Sequence, residues 1–218
     1  MKDIAIYGAG GYGREVACLI NAINEVKKEW NLIGFFDDGI QKGTKTKYGD
    51  ILGGIDELNN INHQLFLTIS IGTPHILNNI INRIYSTHIE FANLFHPLAE
   101  IHESVKVGIG NIITFGNYIS CDAIIGNFNV FNTMCAVGHD TVIGSYNVFN
   151  PRSQISGSVC IGDINFFGLN SSVLQAIKVG NNNKIGAYSF VTRDVKDNES
   201  LIGIPAKKMP VPNISENK

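Results

Sequence analysis

Charge is scarce in this sequence. Only 17% of its 218 residues are charged, and 17 Lys and Arg against 19 Asp and Glu leave a net charge of −2. So weak a field gives no electrostatic footing for nucleic acid or for insertion at a membrane surface. Cysteine is sparse as well: Cys18, Cys121, Cys135 and Cys160 stand apart, with no CxxC or CxH pairing. That spacing excludes a disulfide frame and a metal cage, and the four are expected as buried thiols of a cytoplasmic protein. No long apolar run occurs, so neither a signal peptide nor a transmembrane helix is expected. The 44% hydrophobic content is ordinary for a soluble chain with ample core material.

What the sequence has in abundance is a period of six. From Ile101 to Val191 every sixth residue is aliphatic or Phe, sixteen in one register without an insertion. Six fits neither a helix nor a plain strand; it belongs to a solenoid that turns a corner every six residues. Three sides close one triangular coil, so residues 18 apart in this sequence should stack, among them Phe131, Phe149 and Phe167. Small residues follow the apolar position (Gly126, Gly138, Gly144, Gly162), and Asn or Ser falls four after it (Asn111, Asn129, Asn147, Ser153). Both are expected at corners, where Gly and Asn tolerate positive φ. Residues 96–195 are thus read as an all-β parallel β-helix, with 196–218 as a C-terminal tail in which Lys207 and Lys208 could meet anionic phosphates.

Residues 1–95 read differently, as a small α/β, Rossmann-like domain. Ile4–Tyr7 is a strand, a glycine turn follows, and a helix runs from about Arg14 to Val26. Leu32–Phe36 and Gln64–Ile71 are further strands, Pro74 opens a second helix, and Phe91–Phe95 is a last strand. Such βαβ alternation predicts a parallel sheet covered by helices. Gly8-Ala9-Gly10-Gly11-Tyr12-Gly13 satisfies G-x-G-x-x-G between strand and helix, where backbone N–H groups and the helix dipole can meet a phosphate. Asp37 and Asp38 end the second strand, where a carboxylate can take a ribose hydroxyl or a base edge. Gly72 lies on the same sheet edge. The domain is short for a dinucleotide fold, and a nucleotide suits it better than NAD.

His139, at Gly138-His139-Asp140, lies two residues past an inward position and should project outward near a corner. There it can serve as a general base, with Asp140 to strengthen it. His102 is two coils away and the other histidines lie outside the β-helix, so a metal centre is not expected.

Together these motifs resemble one family, the sugar O-/N-acyltransferases with a left-handed hexapeptide β-helix, in particular the sialic-acid O-acetyltransferase and bacillosamine-pathway N-acetyltransferase group. The resemblance rests on Ile6 to Gly11, Phe36-Asp37-Asp38, Gly138-His139-Asp140 and Gly203-Ile204-Pro205-Ala206-Lys207. It implies a homotrimer with acetyl-CoA in the groove between neighbouring β-helices, and a nucleotide-activated amino sugar as acceptor. It also implies that His139 is the base and Asp140 its enhancer, at a position where a member of that family carries Glu. Gly8, Ala9, Gly10, Gly11, Gly13, Asp37, Asp38 and Gly72 would bind the nucleotide, and Val148, Leu169 and Ala187 would meet acetyl-CoA. O-acetylation of sialic acid or another sugar, and a trimeric nucleotide-binding scaffold without catalysis, are the alternatives.

Overall fold

A computed structural model describes residues 1–209; the polar end of the chain, 210–218, lies outside the described residues. The first domain runs β1 (Lys2–Tyr7), α1 (Gly11–Val26), β2 (Trp30–Phe36), β3 (Lys45–Thr46), β4 (Gly49–Gly53), α2 (Ile55–Asn59), β5 (Leu65–Ile69), α3 (Pro74–Arg83) and β6 (Ile89–Phe91). The strand order is β3-β4-β2-β1-β5-β6, parallel except for the β3–β4 hairpin. Central β1 buries Ile4, Ala5 and Ile6 completely, as a parallel strand covered on both faces must. Val16, Leu19 and Ile20 of α1 pack on one face, and Leu77 and Ile80 of α3 on the other. The hairpin and α2 add to the elements expected from sequence, and α1 starts three residues early, at the glycine turn itself.

From Leu94 the chain winds as a parallel β-helix of mostly two-residue strands. Rungs pair at the expected spacing: Ile112 with Val130, Ile119 with Val137, Ile125 with Ile143. Face 1 points Phe95, Ile113, Phe131, Phe149, Phe167 and Ile185 inward; face 2 does so with Ile101 through Val191, and face 3 with Val107 through Val179. Phe131, Phe149 and Phe167 stack nearly parallel, with ring centroids 4.6 and 4.7 Å apart. The segment expected as one strand, Phe91–Phe95, is divided: Ile89–Phe91 ends the α/β sheet and Leu94–Phe95 is the first rung of face 1. Nor is all of 196–209 a tail. Ser200–Ile202 pairs with Lys184–Ile185, and Lys207–Lys208 folds back on it, closing the end of face 1. There Lys208 pairs with Glu199 at 3.3 Å.

The corners are not built as expected. From Val107 to Ile185, positive φ falls three residues after each inward residue, at Asp122, Phe128, Met134, Asp140, Tyr146 and Arg152 among others, where glycine is the exception. Each such residue is held by its N–H to the preceding coil, as Tyr146 is to the Asn127 carbonyl at 2.9 Å. Glycine in the position after the inward residue serves close stacking instead: a Cβ on Gly126 would sit 2.5 Å from the Gly144 carbonyl oxygen. Nor are the Asn residues four past the inward position corner formers. Asn111, Asn129, Asn147, Asn165 and Asn183 make a buried ladder in which each Oδ1 accepts the next residue's N–H at 2.8–2.9 Å.

Face 1 is covered by the first domain. Leu94 and Ile112 join the α1 core, Phe91 meets Phe128 edge-on, and Phe128 stacks on Tyr146. His75, at the start of α3, pairs with Asn182 at 2.6 Å. Of the cysteines only Cys135 is buried, its thiol pushed up to about 12 by burial; Cys18 and Cys160 are exposed and Cys121 is half-buried. Among the described residues no helix is long and apolar enough to cross a membrane.

Candidate active site

His139 stands on the edge between faces 2 and 3, two residues past inward Val137, and is exposed. Its Nδ1 lies 2.7 Å from Asp140 Oδ2, on an Asp140 held at φ 58°. A carboxylate accepts only, so Nδ1 carries the proton and Nε2 presents its lone pair outward. That is the arrangement of a base with an orienting acid. One coil on, Gly157 lies directly against the ring: a Cβ there would sit 2.6 Å from Nε2. Among the described residues the Gly157 N–H donates to no acceptor. The Gly157 backbone thus adjoins the basic nitrogen. The 18-residue spacing from His139 to Gly157 is the one sequence signal that could have found it.

The glycine loop sits where β1 and β5 part, the crossing point at which open α/β sheets bind ligands. Gly8 has φ 103°, and Ser70 fastens it by donating to the carbonyls of Gly8 (2.7 Å) and Tyr7 (3.0 Å). A side chain on Gly13 would collide with the Gly8 carbonyl, so glycine there lets α1 close onto the strand. Gly10 and Gly11 face open space, and Gly10 caps α1 without a side chain, leaving its first N–H groups for an anion. Asp37 accepts from the N–H of Ala9 (2.8 Å) and of Gly39 (2.9 Å), tying the loop to the end of β2. Asp38 accepts from the Ile55 N–H at 2.8 Å and meets Arg83 at 3.0 Å. Burial works against its charge, yet the Ile55 N–H, the Tyr7 hydroxyl and the Arg83 guanidinium hold the carboxyl below its ordinary pKa. The same burial, with Asp38 beside it, raises the Tyr7 phenol.

Tyr7, Gly8, Asp37, Asp38, His75 and Arg83 line a cavity of about 460 Å³ at this crossing point. Gly72 is exposed next to it. A larger cavity, about 620 Å³, opens on the other side of the loop, between α1 and the edge joining faces 1 and 2. Leu169 and Ala187, expected at acetyl-CoA, are exposed on that edge. Val148 lies on face 1 and is wholly buried, with its N–H given to the Asn165 carbonyl at 2.9 Å, so the contact expected there has neither side chain nor N–H to offer. One chain therefore keeps His139 and the Leu169–Ala187 edge apart, on opposite borders of face 2. Among the described residues no three His, Cys, Asp or Glu side chains converge as a metal site.

The profile of the PglD N-terminal domain family matches residues 3–84. Those residues span β1 to α3 of the first domain. A curated relative, the UDP-N-acetylbacillosamine N-acetyltransferase of Bacillus subtilis (strain 168), is 30% identical over 115 residues, 52% of this chain. That alignment spans about half the relative's own length, 51%. Among solved structures, the acetyltransferase domain of PglB from Neisseria gonorrhoeae FA1090, in complex with acetyl coenzyme A, superposes with a TM-score of 0.87 at 24% identity, covering 95% of this chain and 99% of that one. PerB from Caulobacter crescentus, in complex with CoA and GDP-perosamine, gives 0.84 at 24% identity, over 96% and 98%. At these identities the likeness is one of fold. An α/β domain similar to that family, followed by a parallel β-helix, is the two-part arrangement that the sequence motifs resemble.

Proposed function

We propose that this chain transfers the acetyl group of acetyl-CoA to the amino group of a nucleotide-linked amino sugar, with His139 as general base. One observation carries the reading: the imidazole is oriented by Asp140 at 2.7 Å while the backbone of Gly157, whose N–H has no acceptor among the described residues, adjoins its other nitrogen. As the sugar amine attacks the thioester carbonyl, Nε2 takes its proton, and the Gly157 N–H receives the oxyanion that develops. Collapse of the tetrahedral intermediate expels CoA as a thiolate, which takes up a proton. The nucleotide lies in the cavity of Tyr7, Gly8, Asp37 and Asp38, its pyrophosphate over the bare start of α1. The curated relative is named an N-acetyltransferase and the PerB structure holds GDP-perosamine, which favours nitrogen over oxygen as the acceptor. Unpaired cysteines fit a cytoplasmic enzyme.

The active form in this reading is a homotrimer with its site between copies. Exposed apolar side chains gather on face 2 and its borders: Phe115, Tyr118, Met134, Leu169, Leu174 and Tyr188. Burying face 2 against the next copy sets His139 of one chain beside the Leu169–Ala187 edge of its neighbour, and three copies close such a head-to-tail contact into a ring. Acetyl-CoA then lies along that seam. Mixing the protein with acetyl-CoA and UDP-, GDP-, dTDP- and CMP-sugars, and following thiol release, tests the reading. Release is expected with an amino-sugar nucleotide alone; release only with sialic acid or CMP-sialic acid would move the assignment to O-acetylation, and silence across the panel would end it.

Gly157→Ala gives a sharper check on the base. The added methyl meets only the ring of an exposed side chain, so stability should hardly change. Displacing the imidazole by about an ångström should nevertheless lower kcat roughly 10- to 100-fold. Parallel melting curves and steady-state kinetics separate the two effects.

A further inference from the structure

The glycine loop stands between two cavities. Gly8 lines the one that holds Asp37 and Asp38; Gly11, three residues on, lines the larger one beside the β-helix. A nucleoside diphospho-sugar seated in the first, with its pyrophosphate over the start of α1, would deliver its sugar into the second. We propose that the larger cavity is the sugar pocket and that Glu15 is the residue selecting an amine-bearing ring. This rests on the nucleotide-sugar reading and adds to it the means of choosing the sugar.

The contents of the cavity support the assignment. Phe115 and Tyr48 supply apolar walls of the kind a pyranose ring packs against. His96 accepts the Leu98 N–H on Nδ1 at 3.0 Å, which places its proton on Nε2 as a fixed donor. Glu15 is the one carboxylate lining the cavity, and Arg14 beside it the one guanidinium. Neither forms an ion pair among the described residues, although they are neighbours in sequence and line the same space. Arg14, in the first turn of α1 next to Gly11, is placed for the pyrophosphate. Glu15 is then left with an unneutralised carboxylate facing a pocket otherwise furnished for hydroxyls, and a sugar ammonium is the group that completes it on binding, passing one proton to solvent before the neutral amine attacks. The pocket also reaches Thr133 and Pro151, on the edge that a neighbouring copy would bring against its His139.

The test is calorimetric titration of full-length protein and its Glu15→Gln variant. The probes are UDP and GDP, UDP- and GDP-linked amino sugars, and the same sugar nucleotides with hydroxyl in place of the amine. Wild type should prefer one amino-sugar nucleotide over its hydroxyl counterpart. Glu15→Gln should weaken that ligand about 10- to 100-fold, the size of a charge-assisted hydrogen bond, while leaving the hydroxyl counterpart and the bare diphosphate unchanged. Glu15→Asp should recover part of the preference. A Glu15→Gln protein that keeps the full preference, or that weakens all probes alike, overturns the role of Glu15 while leaving the nucleotide site intact. A wild-type protein that binds no nucleotide overturns both.

Discussion

Replacing His139 with alanine is expected to lower turnover at least about a hundredfold, the lower end of what a positioned general base contributes. The side chain is exposed at the edge of the β-helix and packs into no core, so the variant should fold, assemble and melt as the parent does. Its KM for acetyl-CoA should change little, because the imidazole acts on the proton in flight and not on the bound thioester. His139→Gln keeps a polar group of similar reach but no basic nitrogen, and should be as slow as alanine. Thiol release and thermal melting of the three proteins side by side decide the matter. A rate within a few-fold of the parent would remove His139 from the mechanism.

The second large effect is structural. Phe149 is completely buried, sandwiched between Phe131 and Phe167 at 4.6 and 4.7 Å. Phe149→Ala should cost about 3–5 kcal/mol, since a β-helix whose rungs are tied by backbone hydrogen bonds to the coils on either side cannot collapse to fill the space. At this chain length that corresponds to a fall in Tm of roughly 10 °C. Phe149→Leu should recover more than half of the loss. Melting curves at one fixed protein concentration measure it. A fall of under roughly 1 kcal/mol would mean that the Phe column packs loosely and does not stiffen the coils below the site.

How much of this was readable in the sequence differs sharply between the halves. In the β-helix every inward position faces the same demand every six residues, so the pattern repeats until it cannot be missed. The reasons behind its small residues were less legible. Glycine after the inward residue looks like a turn former and is in fact a close contact with the next coil; Asn147 looks like a corner and is a rung in a buried ladder. Both belong to stacking across 18 residues, which a linear reading does not display. In the first domain the glycine motif marked its loop, and Asp37 and Asp38 do lie at the same cavity. Their bonds to Ala9, Ile55 and Arg83, and the fastening by Ser70, come from chain segments far apart and carried no local signal. Phe91–Phe95 read as one strand because only Asn93 interrupts its apolar residues; the break falls there, where one sheet hands over to another. The larger cavity needs both domains to exist, so neither Glu15 nor His96 stood out beforehand.

The central claim is that acetyl passes from CoA to a sugar nitrogen at His139. Its most direct measurement is the structure of the product, by mass spectrometry and nuclear magnetic resonance, after incubation with acetyl-CoA and the sugar nucleotide that releases thiol. The account expects one acetyl group per sugar, in amide linkage at the former amine, formed by wild type and not appreciably by His139→Ala. An ester at a sugar hydroxyl, or thiol released with no acetylated sugar, would contradict it.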